Sequence, residues 1–210
     1  MLSKLFKVGK SRLEQEEQIA PPAPFKDLKI GKRLYFDRDE IKLYQDIMLL
    51  DIETCPEDMV IEAQSIIDLG ANHYIERFYV DDGYFQVSYE GEAKLENTNE
   101  LMFVSYDDST GFGNHQQAEI DAEIKKMQAT TYVYRGETFT QSFISEFDEK
   151  VTSSDGSVTH VGNMVAVFTR ELSNGTIETL IVTMEDCEGI TMSIALAVAI
   201  PFTRIEPALA

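Results

Sequence analysis

The sequence has little cysteine: only Cys55 and Cys187 among 210 residues. Neither belongs to a Cys-x-x-Cys pair, which excludes a scaffold built on disulfides and favours a reducing compartment. Free cysteines there act mainly as small apolar residues. Cys187 stands between Asp186 and Glu188, whose negative charges disfavour a thiolate. A nucleophilic cysteine is therefore not expected.

Basic residues are also scarce. Lysine and arginine total 18 against 37 aspartates and glutamates, a formal net charge of −19. Affinity for nucleic acid comes largely from cationic side chains that displace counterions, so this balance disfavours binding to DNA or RNA. With 43% hydrophobic and 26% charged residues, the composition is that of an ordinary soluble globular protein with an acidic surface.

Long apolar runs are missing. The longest, at residues 194–202, is about half the roughly 20 residues that a membrane-spanning helix requires. The basic start runs directly into the acidic and glutamine-rich residues 14–18, with no apolar stretch of the kind found in a signal peptide. We therefore expect a cytoplasmic protein with no transmembrane segment.

Motifs for cofactor and metal chemistry are lacking as well. There is no Gly-x-Ser-x-Gly elbow and no phosphate-binding loop, and the three histidines are far apart in the sequence. We expect no cofactor, no metal and no catalytic residue. Two carboxylate pairs, Asp81–Asp82 and Asp107–Asp108, leave a carboxylate-dependent enzyme or modification factor as the alternative, because acid–base carboxylates need no local motif.

The first residues of the chain are basic, whereas the rest of the chain is acidic. Residues 1–13 carry four cations and no acid, which leaves 14 basic against 37 acidic residues in the rest of the chain. Residues 14–24 end in a proline-rich stretch that is typical of an extended spacer. We predict a disordered tail and linker over 1–24 and a single domain over 25–210. The candidate membrane or partner contacts of the tail are Leu2, Lys4, Leu5, Phe6, Lys7 and Lys10.

The domain is predicted to be α+β and mainly antiparallel sheet. Residues 59–89 alternate in polarity on either side of two turn signals, at 69–72 and 81–83, as expected for a three-stranded meander with one wet face. Residues 138–143 pair with 130–134 around Arg135 and Gly136. Long strands are expected at 159–171, 177–185 and 190–200, the first two joined by an Asn174-Gly175 hairpin.

One helix has clear signals. Asn114 is placed to cap residues 114–128, and Ile120, Ile124 and Met127 form its apolar stripe. A shorter helix is predicted after Asp37, followed by a strand at 47–52.

The meander also holds the densest mixture of polar and apolar residues. Arg77 and Asp81 fall on the same face of one strand, so an ion pair between them is expected. The simplest interpretation of such a pair is a salt bridge at the end of a strand, which adds little stability. The candidate partner surface comprises Asp68, Arg77, Asp81, Asp82 and Gln86.

The string from Val60 to Gly70, followed by Arg77-Phe78-Tyr79-x-Asp81-Asp82, resembles the uncharacterised bacterial family typified by the YjfK protein. Genes of that family tend to lie beside those of phage-shock-type membrane-associated proteins, of a small multi-span membrane protein and of a ligase that resembles glutathionylspermidine synthetase. The resemblance implies a cytoplasmic accessory of an envelope-stress system, and it carries no catalytic residue to this chain. We therefore expect a non-enzymatic binding or adaptor protein with a protein partner and, through its tail, peripheral contact with the inner membrane.

Overall fold

The computed structural model describes residues 28–113 and 115–207. The predicted tail and linker at 1–24, and Asn114 as a helix cap, lie outside the described residues. The strands are β1 (Arg33–Phe36), β2 (Asp58–Val60), β3 (Ala63–Gly70), β4 (His73–Val80), β5 (Gly83–Glu90), β6 (Thr98–Phe112), β7 (Thr131–Tyr134), β8 (Glu137–Ser153), β9 (Val158–Glu171), β10 (Ile177–Asp186), β11 (Ile190–Ala199) and β12 (Ile205–Pro207). The helices are α1 (Asp39–Lys42) and α2 (Gln117–Met127).

The main sheet closes into an eight-stranded barrel. Its strand order is β3-β4-β5-β6-β11-β10-β9-β8, and β8 pairs back to β3 through residues 150–153. All of these pairs are antiparallel, which confirms the predicted class of mainly antiparallel sheet. β7 pairs with residues 137–140 of β8. β12, β1 and β2 form a separate three-stranded sheet. The right-handed twist of long strands explains why the sheet curls far enough for its ends to meet.

Apolar side chains fill part of the barrel. Because neighbouring residues of a strand point to opposite faces, every second residue faces inward. The inward apolar cluster contains Tyr84, Met102, Val104, Val165, Ile181, Ala195 and Ala197. Ala195 and Ala197 of β11 leave room for the larger side chains of Tyr106 and Val104, which lie opposite them on β6.

The larger hydrophobic core lies on the outside of the barrel. Phe85 and Phe103 point outward and pack against Phe36 of β1, with ring centroids 5.4 and 4.8 Å from that ring. The prediction of a wet face on the meander was wrong, because both faces are covered. One lines the barrel, and the other packs under the N-terminal segment, so that Tyr84 and Phe85 are both buried.

The strand predicted at residues 47–52 does not form. Met48, Leu50 and Ile52 are buried in alternation, which accounts for the strand-like pattern. Their backbone is held by side chains instead of by a ladder: Glu178 Oε1 accepts the Leu49 and Leu50 N–H groups at 2.7 and 2.8 Å. A carboxylate from β10 thus replaces a neighbouring strand.

Other local predictions agree with the structure. α2 covers most of the predicted helix, and Arg135 and Gly136 have positive φ angles of 48° and 86°, as the β7–β8 hairpin requires. β9, β10 and β11 match the predicted long strands to within two residues. β8 is much longer than predicted, because the acidic residues at 146–150 continue the strand instead of leaving it. In the described part of the chain, no helix has the length and apolarity to span a bilayer.

Candidate functional site in the barrel

Polar side chains from five strands meet inside the barrel. They stand at inward-facing positions of β3, β4, β5, β8 and β9, next to the apolar cluster. We call them the barrel cluster, which consists of Ser65, Arg77, Tyr79, Gln86, Glu149 and Asn163.

Glu149 is the centre of the cluster and is only 2% exposed. Its Oε1 accepts hydrogen bonds from the hydroxyls of Ser65 and of Tyr79, the latter at 2.5 Å. Its Oε2 accepts from Arg77 at 2.8 Å and from the Asn163 amide at 3.3 Å. A buried carboxylate needs such donors to offset its lost hydration, and here β3, β4 and β9 supply them.

Arg77 is equally enclosed, at 5% exposure. Its Nε donates to Gln86 Oε1 at 3.1 Å, and its guanidinium lies 4.9 Å from the centre of the Tyr84 ring and 5.8 Å from that of Phe147. Hydrogen bonds and aromatic faces therefore surround the cation. The ion pair predicted with Asp81 is wrong: Arg77 pairs with Glu149 instead.

The tyrosines of this region stay protonated near neutral pH. Burial raises the pKa of Tyr79, and the negative charge of Glu149 raises it further against the opposing effect of Arg77. Burial likewise raises the pKa of Tyr84. Tyr79 can therefore donate its proton to Glu149 in a hydrogen bond, but it is unsuited to act as a base.

Glu185 extends the cluster toward solvent. It is half-buried on β10, directly opposite Asn163 of β9 in the ladder. Burial raises the pKa of Glu185, and the charge of Glu149 adds to this, while Arg77 acts in the opposite sense. The Oδ1 atom of Asn163 has no hydrogen-bond donor among the described residues. Of the two ladder neighbours of Asn163, Glu185 and Phe147, only Glu185 has a polar side chain.

The predicted partner residues do not share one surface. Arg77 and Gln86 are bonded to each other inside the barrel. Asp68 is exposed near the end of β3, where its carboxylate accepts the Gly70 N–H at 2.7 Å. Asp81 and Asp82 are exposed in the β4–β5 turn, at the opposite end of β4 from the β3–β4 turn.

The turn that carries Asp81 and Asp82 contacts the strand that carries Asp107 and Asp108. The Tyr106 N–H donates to the Asp82 carbonyl at 3.0 Å, which places Asp82 beside Asp107 in the fold. Asp107 is held by Arg135 at 2.9 Å and by the hydroxyl of Tyr134, so it anchors the β7–β8 hairpin to β6. Within the described ranges, no group of three or more His, Cys, Asp or Glu residues is arranged to hold a metal ion.

Two depressions in the described structure are open surface grooves. One, of about 460 Å³, runs along residues 98–101 and 199–202. The other, of about 400 Å³, lies where the end of α2 meets β8 and β9, and is lined by Gln128, Ile144, Ser145, Glu146 and Met164. Neither groove includes a residue of the barrel cluster.

The second groove borders an interrupted edge of β8. β9 pairs along one edge of this strand, while on the other edge β7 pairs only up to residue 140 and β3 only from residue 150. Residues 142–149 have no strand partner on that edge among the described residues. β3 in turn continues unpaired on this side through residues 67–70. We call this opening, between residues 67–70 and 142–149, the β3–β8 fork.

Ser65, Tyr79, Glu149 and Asn163 were missed by sequence reasoning. The signal for Glu149 was the alternation within residues 145–151: Phe147 and Val151 share its face, and Glu146, Asp148 and Lys150 share the other. That pattern indicates a strand with one inward face. Nothing local connects Glu149 with Arg77.

The fold and site together define a closed antiparallel barrel that carries a buried arginine–glutamate pair. The model of a family described as a protein of unknown function (DUF2491) matches residues 1–206. The chain therefore belongs to this family, whose activity is not established. Comparison with curated proteins and with solved structures gave no match.

Proposed function

We propose that this protein is a non-enzymatic adaptor that binds a basic protein partner at the β3–β8 fork. The observation that carries the proposal is the chemistry of the exposed side chains at the fork. Leu69, Phe143 and Ile144 are 41%, 43% and 37% exposed, and the carboxylates beside them are also exposed. Apolar anchors beside charged groups are what a specific protein contact uses.

The charge at the fork has one dominant sign. Glu146 and Asp148 share the outward face of β8 with Ile144, and Asp68 lies near the end of β3. The cation at the closed end of the fork is Lys150. Together with the net charge of −19, these carboxylates favour the approach of a basic partner.

The barrel cluster supports an adaptor more than an enzyme. Its carboxylate accepts four hydrogen bonds, and its arginine is enclosed between that carboxylate and two aromatic rings. Groups held in this way stabilise the barrel wall that positions the fork. Among the carboxylates of the enzyme alternative, Asp107 has structural partners, since it holds Tyr134 and Arg135.

The setting that we propose is an accessory role in a bacterial envelope-stress response, on the cytoplasmic side of the membrane. The resemblance described above supports it through the gene neighbours of that family. The basic tail provides a second contact, to anionic lipid or to an acidic region of a partner, while the acidic body is repelled from such lipid.

Affinity purification of the tagged full-length chain from its native cells, with quantitative mass spectrometry, tests the proposal. The wild type is compared with Glu146→Lys/Asp148→Lys and with the matched control Asp186→Lys/Glu188→Lys, which makes the same change of charge at the exposed β10–β11 turn. We expect a basic protein to co-purify in stoichiometric amount with the wild type and the control, and to be lost from the fork variant.

Two other outcomes have different meanings. Failure of any stoichiometric partner to co-purify with the wild type contradicts the adaptor function itself. Retention of the partner by the fork variant leaves the adaptor function standing and rejects the fork as its surface.

A further inference from the structure

The β3–β8 fork is an interruption of the barrel wall. From the closing pair Ile66–Lys150, an uninterrupted ladder would continue with residues 67–70 opposite residues 146–149. The described pairing stops at that point, and the two strands diverge. Each carries backbone N–H and C=O groups on the edge that faces the other, and such edges are templates for pairing with a further strand.

The interrupted edge has the length of an ordinary strand. Eight residues at about 3.3 Å each span about 26 Å, enough for a segment of six to eight residues. α2 and the lead into β7 bound one end, where Gln141 donates to the Met127 and Thr130 carbonyls at 2.7 and 2.8 Å. β3 bounds the other end, at Lys150. The edge is therefore framed at both ends and open between them.

From this arrangement we infer that the fork accepts an extended basic segment of the partner as an added β-strand. The inference rests on the proposed adaptor function and specifies its binding mode. Main-chain hydrogen bonds to residues 142–149 would supply affinity, and alternate side chains of the segment would supply specificity. On the outward face those side chains would lie opposite Ile144, Glu146 and Asp148, so lysine or arginine at every second position fits best.

The charges also distinguish this occupant from a second copy of the chain. Two copies joined edge to edge at β8 would bring Glu146 and Asp148 of one close to the same residues of the other. Like charges opposite each other in a ladder are destabilising. Charged residues on an open edge are also the usual means by which proteins prevent such self-pairing. A cationic strand, in contrast, converts the same carboxylates into attractive partners.

Hydrogen exchange of the full-length protein with a synthetic peptide tests this binding mode without knowledge of the natural partner. The probe is an eight-residue peptide of alternating lysine and valine. One control replaces its lysines with glutamate, and a second carries N-methyl groups on alternate backbone amides, which removes the donors of one edge. Because these changes are made in the peptide, they leave the fold of the protein unaltered.

We expect the lysine peptide to bind and to slow amide exchange within residues 142–149 more than elsewhere. We expect the affinity to fall about tenfold or more for the glutamate peptide, for the N-methylated peptide, and for the Glu146→Lys/Asp148→Lys protein. The Asp186→Lys/Glu188→Lys protein should bind the lysine peptide as the wild type does.

Equal binding of the N-methylated peptide would overturn strand addition, as would protection that lies outside 142–149. Absence of binding by the lysine peptide would also reject it. None of these results bears on whether a partner co-purifies from cells, so the binding mode can fail while the adaptor function stands.

Discussion

Arg77 of β4 and Glu149 of β8 are 72 positions apart in the chain and meet inside the barrel, where Nη1 and Oε2 are 2.8 Å apart. β4 and β8 do not pair with each other; β3 lies between them. The contact therefore spans the closing seam from within. β3 and β8 are joined by only four residue pairs. We therefore expect the ion pair, together with the hydrogen bonds from Ser65 and Tyr79 to Glu149, to stabilise the closure of the barrel between these two strands.

Replacement of Arg77 should strongly destabilise the protein. Arg77→Met leaves a buried carboxylate without its cation, which typically costs about 3–5 kcal/mol of unfolding free energy. Arg33→Met is the control, because Arg33 pairs with Asp58 at an exposed site, where such pairs contribute little to stability. Urea unfolding measures the free energy of unfolding of both variants. Equal small losses in the two would contradict the proposed role of the Arg77–Glu149 pair in stabilising the barrel closure.

The double variant Arg77→Met/Glu149→Met addresses the same pair independently. Removal of both charges leaves no unpaired ion, so the loss should be smaller than the sum of the two single losses. The expected coupling is about 0.5–3 kcal/mol, as is typical of residues in direct contact. Additive losses would show that the two side chains act separately.

The pH dependence of stability should contain a contribution from Glu185. Burial and the charge of Glu149 raise its pKa in the folded state above the unfolded value of about 4.3. A group with a raised pKa contributes stability that is complete below the unfolded pKa and is lost as pH rises through the folded pKa. Glu185→Gln, which does not ionise, should therefore gain stability relative to the wild type as pH increases from about 4. Unfolding titrations from acid to neutral pH measure the difference in unfolding free energy between the two proteins. If the pKa of Glu185 were unshifted in the folded state, this difference would not change with pH.

Glu178 should hold the N-terminal segment onto β10. It is fully buried, accepts the N–H groups of Leu49 and Leu50, and pairs with Arg170 at 2.7 Å. Glu178→Ala should cost about 2–5 kcal/mol, because it leaves buried donors without an acceptor. Faster hydrogen exchange at residues 45–52 should accompany the loss. Glu137→Ala removes the exposed partner of the same arginine and should have little effect on stability. Equal losses of stability in the two variants would argue against the role of Glu178 in holding the N-terminal segment.

The basic tail should determine any attachment to membranes. Deletion of residues 1–12 removes Lys4, Lys7, Lys10 and Arg12 and leaves the acidic body, which anionic lipid repels. Sedimentation with anionic liposomes should fall to the level seen with neutral liposomes, and salt should weaken the binding of the intact chain. Unchanged sedimentation after the deletion would remove the tail from this role.

Local structure was predictable where the signal was local. The Arg135-Gly136 turn, α2 and the three long strands follow from turn chemistry and periodicity within a few residues. Barrel closure depends on pairing between β3 and β8, which are far apart in sequence and whose contact covers only four residue pairs. The alternation at 47–52 was real, but a carboxylate from β10 took the place of a partner strand.

The candidate site was harder to predict for the same reason. The meander did contain part of it, in Arg77 and Gln86, but the face that was expected to meet solvent became the barrel interior. The partner of Arg77, Glu149, lay in an acidic stretch between the strands predicted at 138–143 and 159–171, where no strand was expected. Polar residues in alternation can face either water or a closed barrel, and the pattern alone does not distinguish these cases.

Site-specific photo-crosslinking in native cells tests the central claim most directly. A photoreactive residue is placed at Ile144 in the fork of the full-length chain and, as a control, at Ile177, which is similarly exposed at the start of β10. The account predicts a covalent adduct with a basic protein from position 144 and none from position 177. An adduct from position 177 alone, or no adduct from position 144, would contradict it.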